Sequence, residues 1–108
     1  ATMGKPPKTR VIERTSPEKR TALQEILRAL PGVSAGQQRA RILQALQKGP
    51  LTTFEASRYL DSYYPPVRVK ELRNLGHNIV LHWVRIATEA GEVHRVGMYA
   101  MAQKGAAV

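Results

Sequence analysis

Apolar residues recur at helical spacing in the first half of the chain and predict two helices. A serine cap and a proline at Ser16-Pro17 start the first helix, and Pro31-Gly32 ends it. A Ser-x-x-Gln signal at Ser34 starts the second helix, which runs to Lys48 before Gly49-Pro50. The apolar stripe of the first helix consists of Leu23, Ile26, Leu27 and Leu30. That of the second consists of Ile42, Leu43, Ala45 and Leu46. Each stripe must be covered by another part of the protein.

The stretch from Thr52 to Gly76 predicts two shorter helices joined by a tight turn. Thr52 and Glu55 have the spacing of a capping box, which opens a short helix. Its inward side holds Ala56, Tyr59 and Leu60. After the turn at 61–64, Pro65-Pro66 starts the second helix, and Gly76 ends it. The inward side of that helix holds Val69, Leu72, Leu75 and Gly76. Its outward side holds Val67, Lys70 and Asn74, with Arg73 at the flank.

Alternating residues after Gly76 predict a β-hairpin over 79–101. Gly91 suits the left-handed position of a three-residue loop, and pairing Thr88 with Glu92 sets the register. That register places Trp83 opposite Gly97, and an aromatic ring can cover a cross-strand glycine. It also places Leu81 opposite Tyr99 and Ile79 opposite Met101. We expect this face to lie near the helices, with Arg85 and Arg95 opposite each other toward the tip.

The other face of the hairpin is also apolar and needs a cover. It consists of Val80, Val84, Ile86, Val96 and Met98. We expect the N-terminal helix to cover at least part of it, because that helix needs a partner for its own stripe. A second copy of the chain is the alternative, and a homodimer would then form through the N-terminal helix or this outer hairpin face.

Length and charge narrow the choice of partner. The 108 residues fit one folded domain, and we expect a flexible basic arm at 1–15, an accessory helix at 16–33, the main domain at 34–102 and a disordered tail at 103–108. The formal charge of +9 favours a polyanionic partner, with nucleic acid ahead of an anionic membrane. There is no cysteine, no apolar run long enough to span a bilayer and no signal-peptide pattern. A cytoplasmic protein is the resulting expectation.

The order of elements, a helix, a turn, a basic helix and a hairpin, is typical of double-stranded DNA binding. In the major groove, Lys70, Asn74 and Arg73 would contact base edges together with Val67. Two further groups would hold phosphates: the hairpin residues Arg85 and Arg95, and the basic residues Lys48, Lys5, Lys8 and Arg10. The alternatives are solvated arginines that splay apart at the hairpin tip and an arm that only aids solubility. Arg68 lies nearer the core side, and we expect it to form an ion pair with Glu55.

Three stretches resemble a winged helix-turn-helix family that is common among small phage, prophage and mobile-element proteins. They are Leu51–Ala56, which follows the family pattern L-T-x-x-E-A, Val67–Ile79, which follows R-I-x-x-L-R-x-x-G-x-x-I with Val69 in the place of the isoleucine, and the closing strand Arg95–Met101. The resemblance covers about 39–101. It implies an α+β winged helix-turn-helix fold with an extra N-terminal helix, a recognition helix at Val67–Leu75 and a wing at Arg85–Arg95. The leading hypothesis is a DNA-binding regulator of transcription, or an accessory factor in recombination or excision, in a bacterial or phage-infected cell. The aromatic and proline residues before Val67 depart from the small polar residues usual there.

The sequence shows no enzyme motif, so we expect neither catalysis nor a cofactor. No G-x-S-x-G, phosphate loop or H-E-x-x-H occurs, and His82 and His94 are not opposite each other in the register above, which argues against a metal site. The main alternative to DNA binding is a protein interaction module that uses the winged fold as a scaffold. The basic residues Lys70 and Arg73 favour DNA. RNA binding is a third hypothesis, but the predicted sheet lacks a pair of exposed aromatic residues for base stacking.

Overall fold

The computed structural model describes residues 10–12, 14–87 and 90–102. These residues form four helices and four strands. The helices are α1 (Pro17–Ala29), α2 (Ala35–Lys48), α3 (Thr53–Tyr59) and α4 (Pro65–Asn74). The strands are β1 (Arg10–Ile12), β2 (Leu51–Thr52), β3 (Ile79–Ala87) and β4 (Val93–Met101). They form one sheet in the order β1-β3-β4-β2, in which β1 is parallel to β3 and the other pairs are antiparallel.

Three of the helices begin at the side-chain caps that the sequence predicts. The Ser16 hydroxyl accepts a hydrogen bond from the backbone of Lys19. Ser34 with Gln37 and Thr52 with Glu55 each form a reciprocal capping box. Caps of this kind contribute about 1 kcal/mol each, which explains why local sequence is enough to fix these helix starts.

One core unites all four helices with the base of the hairpin. Its buried members from the helices are Leu23, Ile26, Ile42, Ala45, Leu46, Ala56, Leu60, Val69 and Leu72. Those from the sheet are Leu51, Ile79 and Tyr99. Burial of these side chains is the main stabilising contribution to the fold, at about 1.5–3 kcal/mol for each large one.

The expected position of the N-terminal helix is wrong. Helix α1 packs on α2 and α3, and its buried Leu23 and Ile26 belong to the main core rather than to a cover over the hairpin. On the outer hairpin face, Val84 is nevertheless only 3% exposed, and the other four apolar residues of that face are half-buried. Strand β1 extends the sheet beside β3 at this point. The apolar stripe of α1 therefore packs within the chain. It needs no second copy to cover it, so the reason for placing a dimer contact on α1 is removed.

The hairpin register is confirmed. Leu81 pairs with Tyr99, Ile79 with Met101, Trp83 with Gly97 and Arg85 with Arg95. Gly91 has a φ of 90°, as its predicted left-handed position requires. Leu81 lies closest to the space above Gly97, 3.0 Å from where a β-carbon would be, while Trp83 is 3.9 Å away. Leu81 and Trp83 remain 40% and 49% exposed, because the helices cover only the base of the hairpin.

Three other expectations need correction. Arg10–Ile12 form β1 although the sequence assigned them to a flexible arm, and β2 was not foreseen. Leu75 is 67% exposed rather than part of the core, because α4 ends at Asn74 and the chain then turns at Gly76, whose φ is 104°. Residues 1–9 and 13 of the expected arm, the tail at 103–108 and the expected pairing partner Thr88 lie outside the described residues.

A buried arginine that the sequence analysis did not single out fixes the turns around the second helix. Arg41 is 0% exposed, and its Nε donates to the carbonyl of Leu60 at 2.7 Å. Its Nη1 donates to the carbonyls of Leu30 at 2.7 Å and Gly32 at 2.8 Å. Burial lowers the pKa of Arg41, and the nearby Asp61 carboxylate partly offsets that effect. One cation thus connects the end of α1 to the turn between α3 and α4.

Candidate nucleic-acid interface

Helix α4 presents one stripe of exposed residues, as the sequence predicts. Val69 and Leu72 are buried against the core, while Val67, Lys70 and Arg73 lie on the solvent side at intervals of three residues. Asn74 is also exposed, at the last position of the helix. The stripe combines an apolar residue, two cations and an amide, which are side-chain types that contact base edges in a major groove.

Arg73 also ties α4 to the hairpin. Its Nε donates to the carbonyl of Ile79 at 2.9 Å, at the first residue of β3. Its charge is close enough to Tyr99 to partly offset the effect of burial, which raises the pKa of that phenol. One Arg73 donor is therefore committed to the fold, and within the described part of the chain the terminal Nη donors make no hydrogen bond. The side chain has both a positioning role and open donors for a ligand.

The expected ion pair between Glu55 and Arg68 is wrong. Glu55 Oε1 lies 2.9 Å from Lys19 Nζ, and Glu55 Oε2 accepts a hydrogen bond from the Thr15 hydroxyl at 2.6 Å. Packing of α1 beside the start of α3 brings Lys19 to the Glu55 carboxylate. The sequence analysis had expected this carboxylate to contact Arg68 of α4. The carboxylate therefore joins α1 to α3.

Arg68 pairs within its own helix. Its Nε lies 3.2 Å from Glu71 Oε1, one turn further along α4. Arg39 of α2 contacts the same Glu71 oxygen at 2.9 Å. Glu71 thus fixes α4 against α2, and Arg68 is structural as expected, although its partner differs.

The wing places a cation over an aromatic ring. Arg95 Cζ lies 4.4 Å from the centre of the Trp83 ring, in the range of a cation–π contact. The two residues are diagonal neighbours on one face of the hairpin, since Trp83 pairs with Gly97 and Arg95 with Arg85. The side chain of Arg85 is exposed and makes no hydrogen bond within the described residues. The ring draws Arg95 away from the like charge opposite it and limits its orientations.

The remaining basic candidates are not brought to this face by any described contact. Lys48 is exposed at the end of α2 and lines a shallow groove with Leu23 and Ile26 of α1. Arg10 lies in β1, opposite Val84. Lys5 and Lys8 lie outside the described residues.

Sequence reasoning missed two aromatic residues at the start of α4. Tyr63 and Tyr64 are 79% and 62% exposed, and their rings make an edge-to-face contact with centres 5.2 Å apart. They were assigned only to the turn. The sequence did contain a signal for their exposure, because turns usually carry small polar residues and two adjacent aromatic residues in a turn are unusual.

Comparison with known proteins gives one match. A family model described as a winged helix-turn-helix domain matches residues 37–104. This confirms the expected fold class and extends a little beyond the 39–101 of the resemblance. The searches of curated proteins and of solved structures return no match. None of the described helices is long and apolar enough to cross a membrane.

Proposed function

We propose that this chain, which belongs to the winged helix-turn-helix family, binds double-stranded DNA with sequence preference and without catalytic activity of its own. Helix α4 enters the major groove, and the wing contacts the adjacent backbone. The observation that carries the proposal is the exposed stripe of α4, where Lys70 and Arg73 follow Val67 on the side opposite the core. The formal charge of +9 supports an anionic partner.

The residues divide between base contacts and backbone contacts. Lys70, Asn74 and the open Nη donors of Arg73 face the bases, since lysine and arginine match guanine and asparagine matches adenine. Arg85 and Arg95 hold phosphates beside the groove. Lys48 and the basic N-terminal residues Lys5, Lys8 and Arg10 add further phosphate contacts. The protein acts as a regulator of transcription or as an accessory factor in recombination or excision of a phage or mobile element.

The first experiment is selection of bound duplexes from a random pool, followed by measurement of Kd by fluorescence anisotropy at several salt concentrations. We expect an enriched sequence and a Kd that rises steeply with salt, because each phosphate contact contributes about 0.9 to the logarithmic slope. A palindromic sequence would indicate that the protein binds as a homodimer. Binding that is independent of salt, or the absence of any bound duplex, would contradict the proposal.

Paired variants separate DNA binding from the alternative of a protein interaction module. Lys70→Ala with Arg73→Ala removes two cations from the stripe, and we expect duplex binding to collapse. Arg20→Ala with Arg28→Ala is the matched control, because it removes the same charge from exposed positions on α1. Equal losses in both double variants would mean that binding depends on net charge and not on α4.

The biological role requires a separate test on the selected site. A regulator is expected to change expression of a reporter placed beside that site. An architectural accessory factor is expected to bend the DNA, so that gel mobility of the complex depends on the position of the site in the fragment. A straight site and an unchanged reporter would contradict both roles.

A further inference from the structure

The amino-terminal end of α4 exposes an apolar surface where the proposed DNA face begins. Tyr63, Tyr64 and Val67 are 79%, 62% and 45% exposed. The two tyrosine rings hold each other in an edge-to-face contact, and the exposed Pro66 lies between them and Val67 in the chain. Within the described residues, neither tyrosine hydroxyl makes a hydrogen bond. We call these four residues the apolar tip of α4.

The same end of the helix lacks the donors with which helix starts usually bind anions. Pro65 and Pro66 occupy the first two helical positions and have no N–H. The amides of Val67 and Arg68 both donate to the carbonyl of Tyr64, at 3.1 and 3.2 Å. Tyr64 makes no side-chain cap. A phosphate would therefore find no free amide among the first four helical residues, unlike at an ordinary helix start.

An apolar tip of this kind matches one group in the major groove. Thymine presents a 5-methyl group there, and the other base edges present mainly hydrogen-bonding groups. Val67 lies one turn before Lys70 on the same stripe, so the tip and the cations approach one duplex together. The basic charge of the chain and the adjacent Lys70 favour this anionic partner over an apolar protein surface.

We infer that the apolar tip of α4 reads thymine methyl groups, with Val67 as the principal contact and the tyrosine pair packing beside it. The inference rests on the proposed function and deepens it, because it names the base chemistry that determines specificity. It makes the target sequence rich in thymine at the positions beside the tip. The expected effect of removing one contacted methyl group is about a four-fold loss of affinity.

The test replaces thymines in the selected duplex, one at a time, by deoxyuridine, which keeps base pairing and removes only the methyl group. Kd is measured by anisotropy for the unchanged protein and for Val67→Ala. We expect at least one position where the unchanged protein loses affinity about four-fold. At that position Val67→Ala should bind thymine and deoxyuridine duplexes equally. Val33→Ala is the matched control, since Val33 is 82% exposed between α1 and α2, and it should keep the discrimination.

The outcomes separate this inference from the proposed function. Duplex binding with equal affinity for thymine and deoxyuridine at every position would overturn the inference and leave DNA binding intact. Discrimination that survives in Val67→Ala would also overturn it, because another residue would then be the reader. Absence of duplex binding in the unchanged protein would overturn both, and would favour a protein partner for the tip.

Discussion

Replacement of Arg41 by methionine is expected to destabilise the fold more than any surface change in the helices. Methionine keeps most of the side-chain length but loses every donor to the carbonyls of Leu60, Leu30 and Gly32. A hydrogen bond from a charged donor contributes about 1.5–3 kcal/mol in net terms. The Leu60 bond is buried, whereas those to Leu30 and Gly32 are partly buried, so water can replace the donor at those two carbonyls.

These contributions do not add in full. Methionine also removes the free-energy cost of burying a cation. That cost is the reason why burial lowers the pKa of Arg41. Counting the Leu60 bond fully and the other two at about half gives a loss of about 3–6 kcal/mol. Removal of the cost of burying the cation brings the expected net loss to the lower end of that range, about 3 kcal/mol. A domain of this size has a total stability of about 5–15 kcal/mol, so this is a large fraction.

The measurement is urea-induced unfolding followed by circular dichroism. With a slope of about 1.5 kcal/mol per molar urea, the loss shifts the midpoint by about 2 M, with no change in slope. The urea midpoint of Arg41→Lys should lie between those of the unchanged protein and Arg41→Met, because lysine keeps the charge but not the planar set of donors. Gln47→Ala is the control at an exposed position of the same helix, expected within about 0.5 kcal/mol. A loss below about 1 kcal/mol for Arg41→Met would refute the assigned role.

Three further changes test other parts of the fold by the same unfolding assay. Glu55→Gln removes the charge opposite Lys19 and should lower the free energy of unfolding by about 1–2 kcal/mol. Lys19→Met added to that variant should then lower it little further. Losses that simply add would show that the two side chains are not coupled. Gly76→Ala should lower the free energy of unfolding by about 1 kcal/mol, because the φ of 104° at this position is strained for alanine. Steric contact is not the cause, since nothing lies within 4 Å of the new β-carbon. An unchanged urea midpoint would contradict this prediction. Burial raises the pKa of Tyr99 above its ordinary 10.0, so its protonated form stabilises the fold below about pH 10 and that contribution is lost as the pH rises further. Tyr99→Phe should flatten this alkaline loss, and an equal loss in both proteins would assign it to other groups.

Short-range signals account for the parts of the fold that sequence predicted well. The caps at Ser16, Ser34 and Thr52 form hydrogen bonds with residues three positions away, so a short stretch of sequence determines where each helix starts. The hairpin register follows from Gly91, because one left-handed residue at the loop fixes every pair along both strands. Such features need no knowledge of the tertiary structure.

Long-range contacts explain the parts that were missed. In the sequence, Arg41 looks like one more cation of a basic chain. Only the tertiary structure, which brings the carbonyls of Leu30 after α1 and Leu60 after α3 to its side chain, shows that it is buried. The sequence analysis named only Arg68 as a partner for Glu55, and the docking of α1 brings Lys19 to that carboxylate instead. The same docking places the stripe of α1 in the main core, a choice that periodicity alone cannot make.

The proposed DNA face shows the same division between local and long-range information. The two prolines at the start of α4 are visible in the sequence and already imply that this end lacks amide donors. What the structure adds is that Val67 and both tyrosines remain exposed, and that Arg73 and Arg95 are oriented by Ile79 and Trp83. In the proposed mode, the apolar tip adds base discrimination that carries no charge to the base contacts of Lys70, Arg73 and Asn74. Phosphate contacts such as that of Arg95 supply salt-dependent affinity. The base discrimination added by the tip then does not depend on salt, whereas the affinity contributed by the phosphate contacts does.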